Sequence, residues 1–246
     1  CLVCAAKMLD RGRVRMPDPA RTLLDPTNRD HPCEQAPVSR YNLLMTTARL
    51  IEQVGDHPEG GYRVLTGQLG LAVWTQPGDI EPRIYDPVAC LILQGTKETT
   101  FGDRTVTVRA GDVVLVSHAL PVVARVTEAS PEAPYMALVV PIDITMLRSV
   151  RDQLGDDAFE MRPADAYAAS PASDAMLSTF ERYINLADDP IEARVLEPLV
   201  RRELHLRFLT ADNGTMLREL LERNSYARNI SRALETLGNE FRTRLE

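Results

Sequence analysis

The chain has 246 residues, 44 % apolar and 26 % charged, which is ordinary globular usage and excludes disordered and collagen-like classes. Its net charge of −7 repels phosphate backbones, so this polypeptide is not expected to grip nucleic acid by itself. No run of about 18 apolar residues occurs, so no membrane is an expected partner and a soluble chain is expected.

Four irregularly spaced cysteines (Cys1, Cys4, Cys33, Cys90) point to a reducing compartment, and a cytoplasmic location is expected. Cys1 and Cys4 have C-x-x-C spacing, but no second pair or nearby His completes a zinc site. The first residue is not Met and no signal-peptide pattern follows, so the chain reads as a fragment or processed product.

Three zones follow. Residues 1–41 carry Pro17, Pro19, Pro26, Pro32 and Pro37, each of which removes an amide donor and disfavours helix before it. A proline-rich, poorly ordered arm is expected there. Its basic cluster, Arg11, Arg13 and Arg15, reads either as a contact for an acidic partner or as a solvated tail.

Residues 42–141 open with a helical pattern, Leu43, Leu44, Ala48 and Ile51. After Gly60-Gly61 the period shortens, predicting strands at 62–65, 71–75, 89–93, 99–101, 105–108, 113–117, 122–126 and 135–140. Turn signals separate them, and Gly102-Asp103 suits a tight hairpin. The alternation of Thr105-Val106-Thr107-Val108-Arg109 predicts one buried and one wet face. Eight short strands in series predict a sandwich or barrel, because one open sheet would leave long edges.

Residues 142–246 change period again, predicting helices at 145–154, 172–186, from Pro190 onward, 216–221 and 227–241. Pro190 suits a first helical position. Ile191, Val195, Leu199, Leu206 and Leu209 recur at helical spacing beyond it, with Pro198 predicting a kink or break.

Little in the chain resembles a catalytic set. The four histidines, His31, His57, His118 and His205, form no H-x-H or H-x-x-x-H pair, so neither a metal nor any other cofactor is expected. Ser117 and His118 are neighbours, and strand neighbours point to opposite faces, which argues against a nucleophile–base pair. No nucleophile elbow and no glycine-rich phosphate loop occurs. Glu81, Asp86, Asp103 and Asp112 fall in turns.

What remains is a container with apolar walls and a few polar anchors. The candidate ligand-binding residues near strand ends are Gln94, Lys97, Ser117, His118 and Tyr135. Each has a purely structural alternative. Gln94 and Lys97 also fit a turn around Gly95, Ser117 a strand-end bond, His118 a satisfied imidazole and Tyr135 a core ring.

Several blocks in fixed order carry a family resemblance. Tyr85-Asp86-Pro87, Leu91-Ile92-Leu93-Gln94-Gly95-Thr96-Lys97, Gly111-Asp112-Val113-Val114-Leu115-Val116-Ser117 and Leu120-Pro121-Val122 are followed by Glu128-Ala129-Ser130-Pro131-Glu132-Ala133-Pro134-Tyr135. Leu196-Glu197-Pro198-Leu199, Arg202-Glu203-Leu204 and Gly214-Thr215-Met216-Leu217-Arg218 continue the set. From about residue 60 onward the chain resembles the effector domain of AraC-type (arabinose-regulator-like) transcription regulators.

The resemblance implies an α+β fold, a cupin-like double-stranded β-helix (jelly-roll) barrel that senses a small molecule, followed by dimerisation and linker helices. A homodimer is expected, with Leu199 and Arg207 as candidate contacts on the stretch from Pro190; packing of that stretch on its own barrel is the alternative. In full-length relatives helix-turn-helix units follow and contact DNA, and this chain stops about where they would begin. The arm before residue 41 has no counterpart in the resemblance, and the effector is not named by it. The rival expectation is a cupin-fold enzyme of sugar isomerase or dioxygenase type.

Overall fold

The structure, a computed structural model, describes residues 40–55, 60–155 and 164–221, all within one compact unit spanning residues 38–246. The predicted arm up to residue 39, the helix at 227–241, Cys1, Cys4, Cys33, His31 and His57 lie outside the described residues.

Helix α1 (Arg40–Val54) leads into strands β1 (Gly61–Thr66), β2 (Leu69–Trp74), β3 (Glu81–Tyr85), β4 (Val88–Gln94) and β5 (Thr96–Phe101). Strands β6 (Arg104–Arg109), β7 (Asp112–Val116), β8 (Leu120–Glu128) and β9 (Tyr135–Pro141) complete the predicted series. Then come α2 (Ile144–Leu154), β10 (Tyr167–Pro171), α3 (Asp174–Asn185), α4 (Pro190–Thr210), a 3-10 turn (Asp212–Gly214) and α5 (Thr215–Leu221).

The strands form two antiparallel sheets, one in the order β1-β2-β9-β4-β7-β10 and the other β3-β8-β5-β6. This is the expected α+β architecture, a cupin-like two-sheet barrel with a helical layer. Period-two side-chain alternation explains how the layers meet. On β7, Val113 and Leu115 join the core shared with the helices, while Val114 and Val116 join the core between the sheets. On β4, Leu91 and Leu93 face the helices and Ile92 faces the other sheet.

The inner strands of the larger sheet, β2, β9, β4 and β7, are thus covered on both faces, which is why they read as nearly unbroken apolar runs. The smaller sheet is wet on one face, and Thr105 and Thr107 are exposed where Val108 is buried. Phe101 pairs with Arg104 across Gly102-Asp103, the hairpin expected there.

The helices start where side chains can cap them. Asp143 accepts from the Met146 amide at 3.0 Å, Ser173 from Met176 at 3.3 Å, and Asp189 from Ile191 and Glu192 at 2.9 and 3.0 Å. Leu147, Val150, Phe180, Tyr183, Phe208 and Leu209 bury their faces against the large sheet and one another. The buried Asn213 carboxamide donates to Val113 O at 3.0 Å and Ala168 O at 3.4 Å, tying the 3-10 turn to β7 and β10.

The structure adds to the expected pattern in several places. The sheets hold ten strands among the described residues, where the sequence predicts eight. β3 and β10 are edge strands, and β3 is mostly exposed and contains Pro82, while β10 is rich in Ala, so neither shows the buried alternation that marks a strand. The division at residue 141 does not separate barrel from helices. β10 joins the barrel from the later zone, and α1 packs beside α3 from the earlier one.

Of the kink or break expected at Pro198, the break does not occur, and α4 runs through it as one helix. Pro198 and Arg194, whose carbonyl loses its helical partner to the proline, are both exposed, so water can satisfy that carbonyl. Finally, the apolar positions of α4 do not form one buried stripe. Leu209 is in the core, but Ile191, Val195 and Leu199 are 79, 68 and 60 % exposed, while Ala193, Leu196 and Val200 face the protein.

Candidate functional site

Between the sheets lies a cavity of about 400 Å³. Its walls come from the inward positions of both sheets, including Ala72, Val88, Ile92, Val114, Val116 and Ala137, so its character is mainly apolar. Aromatic rings shape its polar end. Trp74 and Tyr135 meet edge-on with ring centroids 5.8 Å apart, and Phe101 lies 5.1 Å from Tyr167.

Lys97 enters this space from β5. Its Nζ lies 5.6 Å from the Trp74 ring centroid, 5.3 Å from that of Tyr85 and 5.9 Å from that of Tyr135, within cation–π range of all three. The placement depends on Gly95, at φ +79°, which links β4 to β5. A Cβ there would stand 2.6 Å from Glu128 O and 2.8 Å from Tyr135 Cα, so only glycine lets the chain pass this close to Tyr135.

The cavity lining contains two cationic side chains, Lys97 and Arg83, and no carboxylate. Arg83 is spoken for by Glu81, with which it forms an exposed ion pair. Among the described residues Lys97 has no ion-pair partner. Three wall groups, Cys90, Tyr135 and Tyr167, stay neutral near pH 7. Burial pushes the Cys90 thiol up to about 11, against the opposing charge of Lys97. Burial also raises the phenols of Tyr135 and Tyr167, the latter against the nearby Thr99 hydroxyl. Thr99, 1 % exposed, and Tyr85 each hold a buried hydroxyl oxygen with no well-formed hydrogen bond.

Of the five candidate anchors, Lys97 and Tyr135 stand on the cavity wall, and Gln94, Ser117 and His118 lie off it. Gln94 falls at an irregularity in the β4–β9 register, just before Gly95. Ser117 and His118 follow the last residue of β7, outside the strand alternation, so their side chains do not diverge as expected. Instead Ser117 Oγ lies 2.9 Å from His118 Nδ1, both buried. Burial lowers the His118 pKa, with Glu219 acting the other way. His205 sits in the helical core, far in role from the barrel. No group of three or more His, Cys, Asp or Glu among the described residues is placed to hold a metal ion.

Sequence reasoning overlooked Trp74, Tyr85, Cys90, Thr99 and Tyr167 as wall residues. Counting by twos along β5 from Lys97 reaches Thr99, and along β4 from Ile92 reaches Cys90, so the signal for these was present. Tyr85 and Tyr167 sit on the two overlooked edge strands.

Fold and cavity together define a two-sheet barrel able to enclose a small apolar molecule beside one cation, backed by helices. Residues 65–216, more than half of the chain, match the family described as the AraC-type transcriptional regulator N-terminus, and the chain belongs to that family. A search of curated protein sequences finds no match. Among solved structures the chain is similar to ToxT from Vibrio cholerae, at 10 % identity over 71 % of each chain with a TM-score of 0.38. It is also similar to the AraC-like transcriptional activator CuxR, at 17 % identity over 64 % of this chain and 60 % of that one, TM-score 0.36. A cupin superfamily protein from Desulfitobacterium hafniense DCB-2 is 24 % identical over 39 % of this chain and 87 % of its own, TM-score 0.29.

Proposed function

We propose that this N-terminal regulatory domain senses a small-molecule effector in the barrel cavity, pairs with a second copy through α4, and passes occupancy to a helix-turn-helix DNA-binding module of the kind its family carries. The observation that carries the reading is the mainly apolar cavity lined by a lysine with no ion-pair partner among the described residues and by two buried hydroxyls without a well-formed hydrogen bond.

A route for the signal is at hand. The β1–β2 hairpin supplies Tyr62, Ala72 and Trp74 to the cavity wall, and its tip at Gly67 touches Glu197 of α4. A ligand shifts the regulator only to the extent that it favours one arrangement, and coupling of about 1–3 kcal/mol is typical. The exposed apolar positions Ile191, Val195 and Leu199 support α4 as the pairing surface. Arg207 is engaged by Glu203 within its own helix at 3.1 Å, so it contributes less than Leu199. No helix of the described residues is long and apolar enough to cross a membrane, and a cytoplasmic setting goes with the proposed role.

The test fills the cavity. Ala137→Phe inserts a ring between the sheets, which is expected to cost about 1–3 kcal/mol or less because empty space receives it. A thermal-shift screen of small molecules should give stabilising hits on the wild-type chain that vanish in this variant. Hits that survive the filled cavity would place the effector elsewhere and sink the reading.

A further inference from the structure

We infer that the effector is a small apolar monocarboxylate whose charged end is held by Lys97. This rests on the reading of the cavity as an effector site and adds the chemistry of its occupant. Lys97 points into a chamber whose lining holds no carboxylate, and its ammonium lies within cation–π range of Trp74, Tyr85 and Tyr135. Ring faces attract a cation but replace only part of its hydration, so a half-buried lysine with no ion-pair partner among the described residues gains from an anion.

Two buried hydroxyls stand ready beside that anion. Thr99 lies two positions along β5 and so on the same face as Lys97, and Tyr85 carries one of the three rings. Neither hydroxyl has a well-formed hydrogen bond, and each can donate to a carboxylate, whose two oxygens accept several bonds.

Competing chemistries fit less well. An amine meets repulsion from Lys97. A phosphate or sulfate ester needs more than one free cation or a cradle of backbone amides, and Arg83 is already paired with Glu81 at the rim. A sugar needs polar partners for several hydroxyls, whereas most of the wall here is hydrocarbon and aromatic. A single negative charge on an apolar body matches both the wall and the charge count.

The test is isothermal calorimetry on the full 246-residue chain with two matched pairs, octanoate with octanamide and 4-phenylbutanoate with 4-phenylbutanamide. At least one acid should bind with a dissociation constant below about 1 mM and roughly 10- to 100-fold more tightly than its amide, the range for a charge-assisted bond. In Lys97→Met that preference should collapse to near unity, while Lys97→Arg should keep it; thermal unfolding of each variant checks that it is folded.

Amides binding as well as acids would overturn the carboxylate assignment and leave the cavity reading standing. An acid preference that persists in Lys97→Met would overturn the role of Lys97. If neither acids nor amides bind, and no other compound produces a shift that the Ala137→Phe variant abolishes, the inference and the effector-site reading both fall.

Discussion

The Tyr183 hydroxyl donates to Glu197 Oε1 at 2.5 Å and accepts from the Gln68 amide at 3.2 Å, joining α3, α4 and the β1–β2 hairpin at one point. Gly67 sits beside it at φ +52°, and a Cβ there would stand 2.5 Å from Glu197 Cγ. The hairpin therefore cannot move relative to α4 without disturbing a buried hydrogen bond.

Gly67→Ala should destabilise the fold by about 1–3 kcal/mol, from the left-handed backbone and the crowding of Glu197 together. Glu197→Ala alone should cost about 1–2 kcal/mol through the abandoned Tyr183 hydroxyl. In urea unfolding the double variant should lose less than the two single losses combined, because removing Glu197 also removes the crowding. Strict additivity would mean that the two positions are not in energetic contact.

Stability should fall with acid through His205. The imidazole is fully buried, accepts from the Asp143 amide at Nε2 (2.9 Å) and donates from Nδ1 to Arg201 O (2.7 Å), which fixes the neutral form. Burial and the Arg201 charge lower its pKa, while the Arg201 carbonyl and the Asp143 carboxylate oppose them. The unfolded histidine takes up its proton near pH 6.5 and the folded one only below that. This contribution is therefore complete above pH 6.5 and is lost as pH falls toward the folded value. The urea midpoint should drop between pH 7 and pH 5, and His205→Gln, which keeps an acceptor, should flatten part of the slope. His118, lowered by burial as well, supplies another part.

Pairing through α4 predicts a sharp split between association and stability. Val195→Asp and Leu199→Asp place charge at exposed positions, so the monomer should change by no more than about 0.5 kcal/mol. Light scattering should nevertheless show dimers of the wild-type chain dissociating in both variants. Dimers that persist in both would remove this face from the interface.

Cys90 should be a slow thiol despite lining a cavity. With its pKa pushed up to about 11, little thiolate forms at pH 8, and thiolate is the reacting species. Peptide mass spectrometry after iodoacetamide treatment should find Cys90 largely unmodified in the native protein and labelled in urea. Rapid native labelling would contradict a thiol held neutral in the barrel wall.

How far the chain can be read in advance depends on where each strand lies. β4, β7 and β9 are covered on both faces, and their Val, Leu and Ile runs declare them. β6 announces itself by strict alternation. β3, exposed along an edge with Pro82 and Ile84, and β10, with Tyr-Ala-Ala-Ser-Pro, carry too little burial to leave a pattern. Lys97 and Tyr135 were legible as wall residues because one follows Gly95 closely and the other begins a strand. Tyr85 and Tyr167 were not, since a residue on an unrecognised strand has no assignable face.

The main run of strands and helices and the kinship with AraC-type regulators were written in the linear chain, because periodicity and motif order are local properties. Only the folded arrangement decided which rings surround Lys97, that Ser117 and His118 touch, that α4 continues through Pro198 and that its Ile191, Val195 and Leu199 face outward. Those outcomes depend on which surfaces meet across long sequence separations, and burial at such meetings is set by the partners and not by the residue alone.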